Sequence, residues 1–283
     1  PVNTVDNEII ERIKTKGLEE DISVFLRKKS FNGKKYVAHE RKRGALNALN
    51  KLFVTGISED FYYIGNANYF IPKYVVTLDA DNSLFTGDVL EMVNMMSHPY
   101  NKKYDLMTLH SRYDLFSLRT VYSKRFLSES GTEEYPVYSD LFYRAFGRDI
   151  YCGKGIYRPE AFYKKIDGIF PSGKILSHDI IEGSVLSTGG ATTALEEAPN
   201  GFLSDRERKK RWIRGDIQLL PFLFGRWKND ENKTCRQKIE PFYRYIMAKN
   251  ALSALKASFL AAAVLYGVFT GVTNLLFAVG LFF

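Results

Sequence analysis

Residues 257–283 carry no charged side chain, and this run constrains the chain more than any other stretch. Roughly 20 consecutive apolar residues are enough to cross a bilayer, and the aromatic residues at its end suit a membrane interface. A buried helix of a soluble core is the other reading, but the length favours a transmembrane helix. Just upstream stand Arg226, Lys228, Lys233, Arg236, Lys238, Arg244, Lys249 and Lys256, and cations flanking a span are retained on the cytoplasmic side. The expected organisation is a cytosolic core at 1–225, a basic juxtamembrane segment at 226–256 and a transmembrane helix at 257–283. The lipid bilayer becomes a partner, and the inner (cytoplasmic) membrane the location, with the core facing the cytoplasm.

The formal net charge of +8 suits nucleic acid, an anionic membrane or a phosphorylated substrate. Its placement decides: the cations cluster beside the span and no nucleic-acid-reading motif is present, so nucleic acid is not an expected partner. Cys152 and Cys235 stand in no ligand-like spacing with His39, His98, His110 or His178, which excludes a disulfide framework and a structural zinc site. The chain opens on Pro1 with polar residues, so no signal peptide is expected and the remainder of a larger polypeptide is.

Hydrophobic spacing predicts helices over 6–27, 40–53, 87–96, 177–186 and 205–220, the last strongly basic. The β-branched run at 74–78 ends abruptly in acidic residues and reads as a buried strand delivering carboxylates at its C-terminal edge, where open α/β sheets bind ligands. Strands alternating with helices predict an α/β sheet with flanking helices.

Four constellations can carry chemistry. Asp79 and Asp81 form a D-x-D at that strand end; two carboxylates one residue apart can share a divalent ion and the charge of a diphosphate, although D-x-D also occurs in surface turns. Asp179, in Ser177-His178-Asp179 followed by Glu182-Gly183, suits a general base or an N-cap, and His178 is better read as its neighbour than as the base. Arg208 to Asp216 surrounds Trp212 with cations: guanidinium suits phosphate and an indole face suits a sugar, while a solvated or membrane-facing basic helix is the plain alternative. Gly153-Lys154-Gly155 lets the backbone approach a ligand or simply makes a tight turn.

Taken together, Glu40-Arg41-Lys42-Arg43-Gly44, Leu78-Asp79-Ala80-Asp81, Gly153-Lys154-Gly155-Ile156-Tyr157, Leu176-Ser177-His178-Asp179 with Glu182-Gly183, and Arg211-Trp212-Ile213-Arg214-Gly215-Asp216 with Gln218 and Pro221 resemble, in order and spacing, the glycosyltransferase domain of cyclic β-1,2-glucan synthases. That family is similar in its core to processive inverting synthases of the cellulose type. The resemblance implies a GT-A-like nucleotide-sugar transferase sheet, UDP-glucose as donor and a growing β-glucan as acceptor. It further implies Asp79 and Asp81 on Mg²⁺ or Mn²⁺ and UDP, Asp179 as the base, and Arg41, Lys42, Arg43 and Arg211 near the nucleotide. Trp212, Gly153, Lys154, Gly155 and Arg208 would lie on the acceptor side. Arg208 stands where the wider superfamily has Gln, and the first strands of the nucleotide fold, with their early Asp, are not found before Glu40. A synthase of another β-linked polysaccharide is the alternative, and a non-catalytic glycan- or lipid-binding membrane module is the alternative of a different class.

Overall fold

The computed structural model describes residues 4–17, 22–31, 33–34, 36–64, 71–128 and 144–270. A five-stranded mixed sheet organises them. Its strands are β5 (Val75–Thr77), β6 (Asn82–Ser83), β7 (Leu106–Tyr113), β8 (Gly155–Tyr157) and β9 (Thr188–Glu196), in spatial order β5-β8-β7-β9-β6. Strands β7 and β9 run parallel, β8 is antiparallel to both β5 and β7, and β6 closes the edge antiparallel to β9. The pairing of Thr77 with Gly155 sets the end of β5 beside the start of β8. The acidic turn after β5 and the 153–155 loop before β8 therefore share one sheet edge. Gly155 has no substitute here, because a Cβ would lie 2.3 Å from the Met107 carbonyl oxygen on the neighbouring strand.

Helices flank this sheet. The expected helices at 40–53, 87–96, 177–186 and 205–220 are α2 (Arg41–Thr55), α3 (Asp88–Ser97), α5 (His178–Val185) and α6 (Phe202–Gln218), while α4 (Pro159–Ile166) follows β8. The long helix expected over 6–27 is not continuous: α1 (Thr4–Thr15) stops early, and Phe25–Arg27 forms β1. Strand β1 pairs with β4 (Phe61–Ile64), and β2 (Ser30–Phe31) pairs with β3 (Tyr36–Val37), both outside the main sheet.

The core cluster runs through Leu106, Tyr151, Tyr157, Phe162, Ile181 and Leu219 into Trp227, Phe242, Tyr243, Ile246 and Met247. The basic segment 226–256 thus packs into this core. Its hairpin, β10 (Arg226–Lys228) with β11 (Thr234–Arg236), buries Trp227 in a stack on Phe170 with ring centroids 5.3 Å apart. The first turns of α7 (Pro241–Thr270) belong to the same core. Tyr243 donates to the Asp149 carbonyl across 3.1 Å, tying α7 to the loop that leads into 150–155.

No single helix among the described residues is long and apolar enough to cross a membrane. The segments Pro241–Lys256 and Ser258–Gly267 of α7, bent by 46°, meet the length and composition of a span only as a pair. Of the span expected at 257–283, residues 271–283 lie outside the described residues.

Candidate active site

The site begins at the N-terminus of α2. Glu40 and Arg41 both adopt left-handed backbone, φ 57° and 44°, a conformation that costs a non-glycine residue energy and persists only when its surroundings hold it. The holding groups are visible: a Glu40 carboxylate oxygen accepts from Arg43 Nη1 at 2.7 Å and from the Gly173 amide at 2.9 Å. Gly44 completes the turn, since a Cβ there would sit 2.3 Å from the His39 carbonyl oxygen. This reversal throws Lys42 across to the sheet edge. Its ammonium donates to Asp79 Oδ1 at 2.5 Å and to the Gly153 carbonyl at 2.8 Å.

Gly153 in turn touches the next carboxylate. It has φ +78°, and a Cβ built on it would lie 2.8 Å from Asp179 Oδ1. Lys42, Asp79, Gly153 and Asp179, distant in sequence, are therefore a continuous set of contacts. Asp81 stands exposed beyond Asp79.

Asp179 opens α5 and keeps 30% of its side chain accessible. Burial raises its pKa; His178 pulls it down, Glu182 pushes it up, and the rise prevails. A carboxylate made more basic in this way is better matched to taking a proton near neutral pH. Behind it lies a buried ionic network. His178 Nδ1 is 3.2 Å from Asp179 Oδ1 and 3.0 Å from Glu182 Oε2. Burial works against a charged imidazole, yet the two carboxylates outweigh it and lift His178 to about 9. Arg43 lies 3.6 Å from the other oxygen of Glu182 and packs its guanidinium over Phe170. The ligating atoms of His178, Asp179 and Glu182 fall within 4.8 Å of one another, close enough for a metal. The protonated imidazole already supplies the positive charge between these carboxylates.

A cavity of about 340 Å³ opens on the other side of Asp179. Its walls come from the 150–152 loop, the start of α5, the Trp212 face of α6 and the Lys249–Ala254 face of α7. Gly215 lets α6 come this close: a Cβ there would meet Ser177 Oγ at 1.9 Å and the Ser177 amide nitrogen at 2.8 Å. Gln218 fixes the same junction, its side-chain oxygen accepting from the Leu176 amide at 3.0 Å.

The sequence-predicted residues sort accordingly. Asp79, Lys42, Gly153 and Asp179 converge, and Trp212 shares the cavity with Asp179. Arg41 and Arg211 are exposed, Arg41 accepting at its carbonyl from Arg27. Arg43, expected near the nucleotide, is 4% exposed and spent on Glu40 and Glu182. Lys154, expected on the acceptor side, is 3% exposed and points into the fold, where Glu196 Oε2 lies 2.5 Å away and Ser111 Oγ 3.2 Å away. Arg208 bonds Asp205 and covers the Trp212 ring at 4.5 Å, so it braces the indole. Asp216, which the sequence shows only as the end of the 208–216 run without a role, and Asn250, which no motif singles out, both line the cavity; Asp216 falls one helical turn after Trp212.

No family model matches the chain. Curated relatives do. Cyclic beta-(1,2)-glucan synthase NdvB of Rhizobium meliloti (strain 1021) is 30% identical over 226 residues, 70% of this chain and 8% of that protein. Glucans biosynthesis glucosyltransferase H of Caulobacter vibrioides (strain NA1000 / CB15N) is 36% identical over 59 residues, 18% of this chain and 9% of that protein. The chain thus spans less than a tenth of the length of either relative. The convergence of the motifs on one site and the likeness to these enzymes agree: the chain is a glycosyltransferase and belongs to the family of the glycosyltransferase domain of cyclic β-(1,2)-glucan synthases.

Proposed function

We propose that this domain transfers glucose from UDP-glucose to a growing β-1,2-glucan with inversion at the anomeric carbon, at the cytoplasmic face of the membrane. The observation that carries this reading is the contact set Lys42, Asp79, Gly153 and Asp179, with Asp179 also on the wall of the Trp212 cavity. One side of Asp179 is cationic and acidic, suited to a metal diphosphate; the other is largely apolar and aromatic, suited to a sugar. The mixed sheet is compatible with a GT-A-like domain.

In this reading the acceptor ring lies against Trp212. Its hydroxyl oxygen attacks the anomeric carbon from the face opposite UDP, the hydroxyl proton passes to Asp179, and the bond from that carbon to the UDP oxygen breaks with its electron pair leaving on the diphosphate. One displacement inverts the α-linked donor to a β-linked product. Lys42 faces the diphosphate with a fixed ammonium, which stabilises the charge that develops there. Asp79 and Asp81 offer hard oxygens one residue apart, a donor set that fits Mg²⁺ or Mn²⁺ shared with phosphates, and such an ion would act as a Lewis acid toward the leaving group. The bilayer assignment draws support from the far half of α7, where Phe259, Val264, Leu265, Tyr266 and Phe269 are exposed, Phe269 to 85%.

The test uses the protein in membranes with labelled UDP-glucose and Mg²⁺, followed by linkage analysis of the product. Asp79→Ala and Asp81→Ala should weaken metal-dependent UDP binding. Asp179→Asn should leave binding intact and lower transfer by about 10²- to 10⁴-fold, because a base acts only in the transition state. Equal loss of UDP binding in all three variants would overturn the roles, and a 1,3- or 1,4-linked product would favour a different β-glucan.

A further inference from the structure

The cavity beside Asp179 holds a second carboxyl group that the chemistry above does not use. Asp216 lies on α6 one turn after Trp212, and Asn250, from α7, hydrogen-bonds its carboxylate. Most of the neighbouring wall is apolar, including Ile180, Ile213 and Ile246. Burial accordingly pushes Asp216 up to about 6. Asn250 supplies one hydrogen bond to a carboxylate that has room for several, Lys209 and Lys249 stand on the same cavity wall, and the place of Asp216 is fixed twice over, by Gly215 against Ser177 and by Gln218 on the Leu176 amide.

The geometry points to Asp216 and Asn250 as a hydroxyl-recognition pair for the acceptor glucan: with Trp212 against the ring face, Asp216 accepts from sugar hydroxyls, Asn250 donates to them, and together they fix which hydroxyl is presented to Asp179. This deepens, and rests on, the glucosyltransferase reading. Carbohydrate chemistry fits the arrangement. A sugar offers an apolar ring face and a rim of hydroxyls that both donate and accept, and the cavity pairs an indole face with an acceptor-only carboxylate and an amide that does both. An acyl chain would offer Asp216 no donor beyond the one from Asn250. The pair also joins α6 to α7, so the acceptor is held partly by the helix that continues into the apolar segment.

Two measurements on the protein in detergent or membranes test this. In the first, a β-1,2-glucan oligosaccharide is titrated against tryptophan fluorescence in a Trp227→Phe background, where Trp212 is the remaining tryptophan. Asp216→Ala and Asn250→Ala should each weaken the midpoint by about tenfold or more, the loss of a hydrogen bond in a desolvated site, and Asp216→Asn by less. In the second, UDP-glucose transfer should show the same rise in acceptor KM while the KM for UDP-glucose stays within about twofold. Oligosaccharide binding that weakens as expected in a protein that transfers no glucose would uphold the pair and sink the glucosyltransferase reading. Transfer by the unaltered protein with binding and acceptor KM unchanged in both alanine variants would overturn the pair and leave that reading standing. A matching loss of UDP-glucose affinity in both variants would also overturn it, by marking the residues as structural.

Discussion

Gly153→Ala should uncouple folding from transfer, and the size of each effect follows from the structure. The residue has φ +78°, so any side chain costs about 1–2 kcal/mol of backbone strain. The added methyl also starts 2.8 Å from Asp179 Oδ1 and 3.1 Å from its Cγ. Reaching the 3.4 Å of ordinary van der Waals contact requires about 0.6 Å of movement by the carboxylate or the loop, and a misplacement of about 1 Å can cost about 10²-fold in rate. Transfer should therefore fall by about ten- to a hundredfold with the melting temperature lowered by only a few degrees. Lys42 contacts the Gly153 carbonyl rather than its Cα, so UDP affinity should change much less than kcat. Thermal melts, UDP titration and single-turnover transfer on one preparation separate the three quantities. A variant that melts lower yet keeps full kcat would refute the placement of Asp179 at the reacting centre.

Two further expectations concern the network behind Asp179. Arg43→Ala takes from buried Glu182 one of its two cations, leaving His178, and takes from Glu40 its partner, and should cost about 1.5–3 kcal/mol, seen as a drop in melting temperature, whereas Arg43→Met with Glu182→Met should recover part of it; a clean rise in UDP-glucose KM with unchanged stability would instead restore Arg43 to the nucleotide. His178 has its folded pKa raised to about 9 from 6.5, so its charge stabilises the fold fully below pH 6.5, and that contribution, on the order of 3 kcal/mol, is lost as pH rises through about 9. Melting temperature against pH for wild type and His178→Gln should converge between pH 7 and 10, and parallel curves would show that His178 is not charged.

Much of this was legible in the chain because local rules and tertiary structure agreed. An apolar β-branched run stopping at Asp79 could hardly be anything but a strand delivering a carboxylate to a sheet edge, and α2, α3, α5 and α6 fall within a few residues of their spacing. Lys154 shows what a local pattern leaves out. A lysine between two glycines looks like a ligand-facing loop, but this one, at the residue before β8, directs its ammonium to Ser111 and Glu196, and only the partner residue on β9 reveals that. Residues 41–43 are a related case: three consecutive cations look equivalent in sequence, whereas the helix sends Lys42 to the edge and Arg43 into the core. The early end of α1 comes at Gly17, whose backbone is left-handed (φ 64°) and whose amide donates to the Lys14 carbonyl, and Phe25 and Leu26 pair with β4 instead of continuing a helix. Asn250 was illegible for want of any local cue, since it meets Asp216 only through the packing of α6 on α7.

The 111-residue separation between Lys42 and its acceptor on Gly153 has a consequence for the order in which the protein is built. Contacts between distant residues close late, because the loop entropy must be lost before they contribute. During synthesis from the N-terminus, Asp79 emerges well before the carbonyl that shares its lysine, and the cavity wall at Asn250 comes about a hundred residues after that carbonyl. A nascent chain thus carries its acidic pair before the α7 wall of the cavity exists.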